Sequence, residues 1–274
     1  MLRVFINRYH NAAQEHLIQF LDASEKGSFL AQEVTSSELS PMLTQASTLL
    51  QSIHYSWIEP LLSSFPNNLQ SVILGSLNSH QLIGLPQTDY VQPAPIVKTF
   101  IHNQLYSLLK GDEHLAIEYL PITKISQLVK WNKSNLIKLI DFLGLYDAAS
   151  EIRHIVSREH LQNLYACLTP PQLYYLKQCL HQKEQLVTPK LGIDLAKQDS
   201  TLLKRILHRR GLLRLGRACC GEHPDFVWYI SRILDTGRGN ILIKEYQQEA
   251  MPKVTDILQQ QVINIIQFFN SAQV

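Results

Sequence analysis

The chain has 274 residues, of which 45% are hydrophobic, and its 25 basic and 23 acidic residues give a formal net charge of +2. That hydrophobic fraction excludes a disordered protein and can supply the cores of one large or two modest domains. The near balance of charge excludes a global attraction to nucleic acid or to an acidic membrane. Four cysteines are too few for a disulfide framework at this length, which favours a reducing cytoplasm.

Membrane targeting signals are not apparent in the sequence. The first residues lack the apolar core and the small-residue cleavage site of a secretory signal. No stretch approaches the roughly 18 uninterrupted apolar residues that a spanning helix needs. We therefore expect any membrane association to go through a protein partner or a surface contact.

Apolar residues recur at helical spacing along the chain, and alternating β-branched runs are nearly absent, which predicts an all-α fold. The first predicted helix covers residues 11–23. The second begins at Ser40-Pro41, a capping residue followed by proline at the first helical position. Residues 61–85 predict two helices joined by a proline turn and then a short capped helix.

A proline-rich stretch predicts the first domain boundary, because Pro86, Pro93 and Pro95 with polar residues between them have linker composition. The predicted organisation is an N-terminal helical domain at 1–85, a linker at 86–95, a middle helical domain at 96–190 and a C-terminal helical domain at 191–274. The predicted helices of the middle domain are 96–110, 122–129, 134–143, 148–155, 157–168 and 172–183. Of these, the helix at 134–143 has Ser134 as its N-cap and Gly144 as its stop.

The C-terminal domain predicts a series of short helices. A leucine-rich basic helix begins near Leu202, an apolar helix covers 226–234, a glycine-rich break lies at 236–239, and a mixed helix and a Gln-rich helix follow. Short helices cannot bury their apolar faces alone, so we expect neighbour to stack on neighbour in an armadillo-like, right-handed array.

Catalytic and metal-binding patterns are weak. Zinc ligands usually come in pairs two to four residues apart, and only Cys179 with His181 and Cys220 with His223 approach that spacing. The chain has no Gly-x-Ser-x-Gly elbow, no His-Glu-x-x-His pair, and no Lys and Ser or Thr after the glycine-rich break to hold a phosphate. We expect buried, inert cysteines, no metal, no cofactor and no enzymatic activity. The residues weighed as zinc ligands are Cys167, Cys179, His181, Cys219, Cys220 and His223.

The main charge feature is a basic cluster without any acidic residue from Thr201 through Gly221. Repulsion within such a group costs stability unless an acidic partner, in the same chain or another, neutralises it. The alternative is a solvated face whose arginines lie near helix C-termini, where the helix dipole favours them. The cluster consists of Lys204, Arg205, His208, Arg209, Arg210, Arg214 and Arg217.

The order of elements from Leu212 to Ile266 carries a family resemblance. It runs through a leucine helix ending at Gly216, a short apolar helix after Pro224, a small-residue break, a charged helix, Pro252 and a Gln-containing final helix. In that order and spacing, the segment resembles the C-terminal domain of the flagellar rotor switch protein FliG. The resemblance covers about a quarter of the chain and implies the same helical, armadillo-like organisation for the rest.

Two departures from FliG direct the functional expectation. FliG uses an acidic pair on the charged helix to transmit torque, whereas Lys244 and Glu245 stand at the comparable place here, and its small-residue helix start becomes Gly237-Arg238-Gly239. A FliG-like protein without torque charges is similar to the SctK accessory proteins of the type III secretion sorting platform, and the whole chain looks like chlamydial secretion proteins. The resemblance implies a cytoplasmic adaptor between the membrane ring and the pod proteins.

These arguments predict a set of partner-binding residues. Basic side chains of the cluster would meet an acidic partner, and the helix matching the FliG working surface would supply a second group. The competing hypothesis is a nucleic-acid-binding regulator that places the basic helix in a groove. The predicted residues are Lys204, Arg205, Arg209, Arg210, Arg214 and Arg217 in the cluster, with Arg238, Lys244 and Glu245 in the second group.

Overall fold

The structure is a computed structural model that describes residues 18–31, 39–86, 89–110, 115–155, 157–182, 186 and 199–272. Within these residues every regular element is a helix and none is a strand, so the predicted all-α fold is confirmed. The armadillo-like, right-handed arrangement stays a prediction. None of the described helices is long and apolar enough to cross a membrane.

The described residues form α-helices and two short 3-10 helices, Ile117–Tyr119 and Ser126–Lys130. The predicted helix at 122–129 is thus the second of these short turns, and residues 11–17 of the first predicted helix lie outside the described residues. The α-helices in chain order are α1 (Ala23–Ala31), α2 (Leu39–Ser52), α3 (Tyr55–Leu62), α4 (Asn67–Ser76), α5 (Ser79–Leu82), α6 (Pro95–Lys110), α7 (Lys133–Ile152), α8 (Arg158–Ala166), α9 (Pro170–His181), α10 (Ser200–Ala218), α11 (Pro224–Ile233), α12 (Thr236–Glu245) and α13 (Val254–Ala272).

The chain divides into two compact units, which differ from the predicted domains. The first unit is 1–51 with 60–111, and the second is 52–59 with 112–274. The proline-rich stretch at 86–95 lies inside the first unit, because its backbone packs on α4. There the Val91 amide donates to the Ser71 carbonyl at 3.3 Å, and a Cβ added to Gly75 would lie 2.0 Å from the Val91 carbonyl oxygen.

The first unit contains a buried histidine on α6. His102 Nε2–H donates to the Ser76 carbonyl at 2.8 Å, and its Nδ1 lies 2.9 Å from the Ser47 hydroxyl. Since a carbonyl can only accept, this geometry places a proton on Nε2. Burial lowers the pKa of His102, and the hydrogen bond to Ser76 only partly offsets that effect.

The second unit is built around the crossing of α7 and α10. A Cβ at Gly211 would lie 1.7 Å from the Ile140 carbonyl oxygen, and a Cβ at Gly144 would lie 2.2 Å from the Leu207 carbonyl oxygen. Two backbones this close leave no room for a side chain at either glycine. The prediction that Gly144 ends a helix is therefore wrong. It serves the close approach, and α7 continues through it to Ile152.

Residues 52–59 join the second unit through Trp57. Its indole Nε1–H donates to the Leu234 carbonyl at 2.8 Å, and the Arg232 guanidinium lies over its ring at 3.7 Å from the centroid. A Cβ at Gly239 would lie 2.6 Å from the Trp57 ring. The predicted break at 236–239 is thus wrong as well, because α12 begins at Thr236 and its glycine admits the indole.

Candidate partner-binding groove

The basic helix α10 begins at an aspartate cap and turns its charged side chains in different directions. Asp199 Oδ1 accepts the backbone amides of Thr201 at 2.8 Å and Leu202 at 3.0 Å, which satisfies two amides of the first turn. Leucines at 203, 207, 212 and 215 are buried, so the helix faces inward along that stripe. The exposed basic residues of α10 are Lys204, Arg205, Arg209 and Arg217, whereas Arg210 is half-buried and Arg214 is buried.

Arg214 corrects the prediction of a surface contact, because its guanidinium is part of the core. Its side chain is only 5% exposed and that of Asp147 only 3%. Arg214 Nη2 and Nε donate to the two Asp147 carboxylate oxygens at 2.6 and 3.1 Å, and Nη1 donates to Gln261 Oε1 at 2.6 Å. This bidentate pair links α10 to α7 and α13, so it neutralises one charge of the cluster inside the molecule.

Arg217 also finds an acidic residue within the chain. Its Nε donates to Glu245 Oε2 at 3.0 Å, and the Arg217 side chain stays 49% exposed. Two residues predicted to bind partners therefore bind one another across α10 and α12. Lys244, the neighbour of Glu245, is exposed.

A chain of four polar side chains connects α7, α10 and α12. His208 Nδ1 lies 2.6 Å from Asp141 Oδ1, and Arg238 Nε donates to His208 Nε2 at 2.7 Å. Arg238 also pairs with Asp235. Since Nε2 must accept from Arg238, the proton is on Nδ1 and is donated to Asp141. The arrangement orients a histidine but leaves it no free nitrogen to act as a general base toward a nucleophile.

Asp235 has two structural tasks at the start of α12. It accepts the Arg238 backbone amide as the N-cap at 3.2 Å and pairs with the Arg238 guanidinium. Burial opposes its ionisation, but the hydrogen bonds from Arg238 and the charges of Arg238 and Lys133 outweigh burial and lower the pKa of Asp235. The carboxylate is thus committed to its partners within the molecule.

An open groove of about 730 Å³ lies where α10 meets α7 and α12. Its aliphatic lining, which we call the floor, consists of Ile137, Leu202, Ile206, Leu212 and Ile241. Its outer edge, which we call the rim, consists of Lys204, Arg205 and Arg209. Asp141, His208, Asp235 and Arg238 complete the polar lining, together with Thr201 and Gly237.

The rim has no acidic counterpart within the described part of the chain. Lys204, Arg205 and Arg209 are exposed, and none of them has a hydrogen bond or an ion pair to a described residue. The two acidic side chains of the groove, Asp141 and Asp235, already pair with His208 and Arg238. With His208 neutral, the groove has four cationic side chains, those of the rim and Arg238, against two carboxylates, so its net charge is +2.

The cysteines and histidines weighed as zinc ligands do not form a metal-binding group among the described residues. Across the described ranges, no group of three or more His, Cys, Asp or Glu side chains is placed to hold a metal ion. Cys179, Cys219 and Cys220 are buried free thiols, and burial raises the pKa of Cys219 far above its ordinary value. A thiol held in its protonated form is a poor nucleophile and a poor ligand.

Of the predicted contact residues, the groove brings together Lys204, Arg205, Arg209 and Arg238. Arg217, Lys244 and Glu245 lie outside its lining, as does Arg210. Sequence reasoning missed the floor and the two aspartates. The sequence signal that could have found them is spacing: two pairs lie four residues apart on one helix face, Leu202 with Ile206 and Ile137 with Asp141.

Comparison with known proteins finds no matching family model, no matching curated protein and no matching solved structure.

Proposed function

We propose that this protein is a non-enzymatic, cytoplasmic adaptor that binds an acidic protein partner through the basic groove of its second unit. We further propose that it works in a bacterial type III secretion apparatus, where it joins the membrane ring to the pod proteins of the sorting platform. Two interfaces are required, one for each neighbour, and the groove would be one of them.

The observation that carries the adaptor proposal is the rim of three cations beside two carboxylates that are already paired. Arg205 and Arg209 are spaced four residues apart on α10 and project from one helix face. Their mutual repulsion is relieved when carboxylates of a partner approach. Each exposed pair contributes only about 0.2–1 kcal/mol, so the rim supplies orientation and partner choice more than affinity.

The composition of the groove favours protein over nucleic acid. Single-stranded nucleic acid is bound by aromatic side chains on which bases stack, and the groove lining has no Phe, Tyr or Trp. Asp141 and Asp235 would face the phosphates of a duplex, which costs binding energy. An aliphatic floor beside a charged rim is the usual composition of a protein interface.

The place in a secretion apparatus is supported by the resemblance of Leu212 to Ile266 to the C-terminal domain of FliG. In this chain the corresponding helices are α10 to α13, and Arg238, Lys244 and Glu245 lie on α12. Lys244 is exposed and would remain available to the second neighbour.

The test is affinity purification from the native cell with the tagged full chain, followed by identification of partners by mass spectrometry. We expect a membrane-ring protein and a pod protein with wild type, and loss of one of them with the double variant Arg205→Glu and Arg209→Glu. The matched control reverses Lys130 and Lys177, which are exposed and lie outside the groove. Unchanged capture by the rim variant refutes the groove as an interface.

A second measurement separates protein from nucleic acid as the partner. Binding through phosphates weakens steeply as salt rises, by about 10³–10⁵ between 50 and 200 mM for six to ten contacts. We expect a much smaller loss for the adaptor complex. A steep salt dependence together with copurified nucleic acid would support the regulator instead.

A further inference from the structure

The residues that line the groove also indicate what kind of partner segment fits it. Resting on the proposed function, we infer that the partner contributes an amphipathic α-helix with an aliphatic stripe against the floor and Asp or Glu residues beside it against the rim. The dimensions and the aliphatic character of the floor carry this inference.

The floor offers apolar contact without hydrogen-bonding groups. Ile137, Leu202, Ile206 and Ile241 are half-buried, and Leu212 is buried. Covering half-buried aliphatic side chains with a partner is favourable by roughly 25 cal/mol for each Å² of apolar surface removed from water. The preferred occupant of this surface therefore brings aliphatic side chains of its own.

Other modes of peptide recognition do not fit this surface. Addition of a strand needs an exposed sheet edge, and the residues that the structure describes include no strand. Proline-rich peptides dock in grooves lined with aromatic side chains, and the lining here has no Phe, Tyr or Trp. A helix needs neither feature, because its backbone hydrogen bonds are satisfied internally. Of these three modes, helix-in-groove recognition is the one that uses an aliphatic floor.

The length of the groove matches a short helix. The lining residues of α10 run from Thr201 to Leu212, which at 1.5 Å per residue corresponds to about 17 Å. Three turns of a partner helix cover about 16 Å and place anchors at positions i, i+4 and i+7 on one face. Three aliphatic anchors on the partner can therefore contact the floor together.

The charges set the sequence character of that helix. Arg205 and Arg209 are one helical turn apart, so acidic residues one turn apart on the partner can each meet one of them. Lys204 extends the positive rim by one further side chain. The lining carboxylates Asp141 and Asp235 are held by His208 and Arg238, so they do not compete for the rim.

Fluorescence anisotropy with the full chain and synthetic peptides of about 18 residues, long enough for three turns and flanks, tests the inference. One peptide has leucines at i, i+4 and i+7 with flanking glutamates. A second has the same composition in scrambled order, and a third replaces the glutamates by lysines. We expect the first peptide to bind about tenfold or more tightly than either of the others. Equal binding of the scrambled peptide, or no binding of the first, overturns the inference.

Variants of the floor separate this inference from the adaptor proposal. Ile206→Ser and, independently, Ile241→Ser should each weaken the acidic peptide about tenfold while helical circular dichroism stays unchanged. Either variant suffices if the other fails to fold. If the rim variant loses the cellular partner but both floor variants retain it, the helix inference fails and the adaptor proposal stands. If the rim variant retains the cellular partner, the adaptor proposal itself fails.

Discussion

Replacing Arg214 by methionine should destabilise the second unit severely, although the residue belongs to a basic cluster expected at the surface. Methionine keeps most of the buried stem but removes both hydrogen bonds to Asp147 and the one to Gln261. Asp147 would then be an unpaired charge with a 3% exposed side chain. Breaking a buried pair from one side costs about 3–5 kcal/mol, so we expect a loss of that size in the free energy of unfolding.

Urea unfolding followed by tryptophan fluorescence measures this loss in the right unit. The three tryptophans, Trp57, Trp131 and Trp228, all lie in the second unit, so their signal reports its unfolding. With a slope of about 2 kcal/mol per molar urea, a loss of 4 kcal/mol lowers the midpoint by about 2 M. Helical circular dichroism in the absence of urea shows whether the variant is still folded.

The double variant Arg214→Met and Asp147→Leu tests the reasoning behind the magnitude. Exchange of a buried ion pair for apolar side chains is often close to neutral, so the double variant should recover most of the stability lost by Arg214→Met. The Gln261 oxygen still lacks its donor, which leaves a loss of about 1–3 kcal/mol. A loss below about 1 kcal/mol in Arg214→Met, or a double variant as unstable as the sum of both single variants, would refute the buried pair.

Three further predictions concern packing and pH. Gly211→Ala should cost about 3 kcal/mol or more, because its Cβ would overlap the Ile140 carbonyl, whereas Gly27→Ala on α1 meets nothing within 4 Å and should be neutral or stabilising by up to about 1 kcal/mol. Burial lowers the pKa of His102, so as the pH decreases through the ordinary value of 6.5 the histidine of the unfolded chain takes up a proton before that of the folded protein. The stability of the first unit should therefore fall as the pH decreases through that value. Burial raises the pKa of Glu222, so as the pH rises through the ordinary value of 4.5 the carboxyl of the unfolded chain ionises before that of the folded protein. Glu222→Gln should therefore stabilise the protein at pH 7 but not below pH 4.5.

Each of these has a direct measurement. Urea midpoints from tryptophan fluorescence report Gly211 and Glu222, and circular dichroism reports Gly27 and His102. His102→Gln keeps a donor and should flatten the stability profile between pH 5 and 7, whereas an unchanged profile contradicts a buried neutral imidazole. A stabilisation by Glu222→Gln that persists below pH 4.5 would show that ionisation is not its cause. A Gly211→Ala chain as stable as wild type would contradict the close crossing.

The all-α fold was accessible from the sequence because apolar spacing is a local property. The two errors at glycine were of one kind. Gly144 and Gly239 both lie inside helices, where a neighbouring backbone or an indole takes the space of a side chain. A glycine that stops a helix and one that admits a neighbour look alike in sequence, since the neighbour is far along the chain. Leu207 is 63 positions from Gly144 by number, and no local pattern pairs them.

The candidate site was predictable as a cluster but not as a surface. Each basic residue of α10 has the same local environment in sequence, yet Arg214 is buried, Arg217 is paired, and Arg205 and Arg209 remain available. The carboxylates that make this distinction come from α7 and α12. Asp147, for example, lies 67 positions before Arg214. Charge counting within one helix therefore predicts the presence of a basic patch and cannot tell which of its members face outward.

Because residues 52–59 belong to the second unit, neither unit is a continuous stretch of the sequence. A fragment that starts at residue 112 omits the indole that packs against Gly239 and accepts the Arg232 stack. Truncation or fusion at a single cut point would therefore remove part of the packing of the second unit.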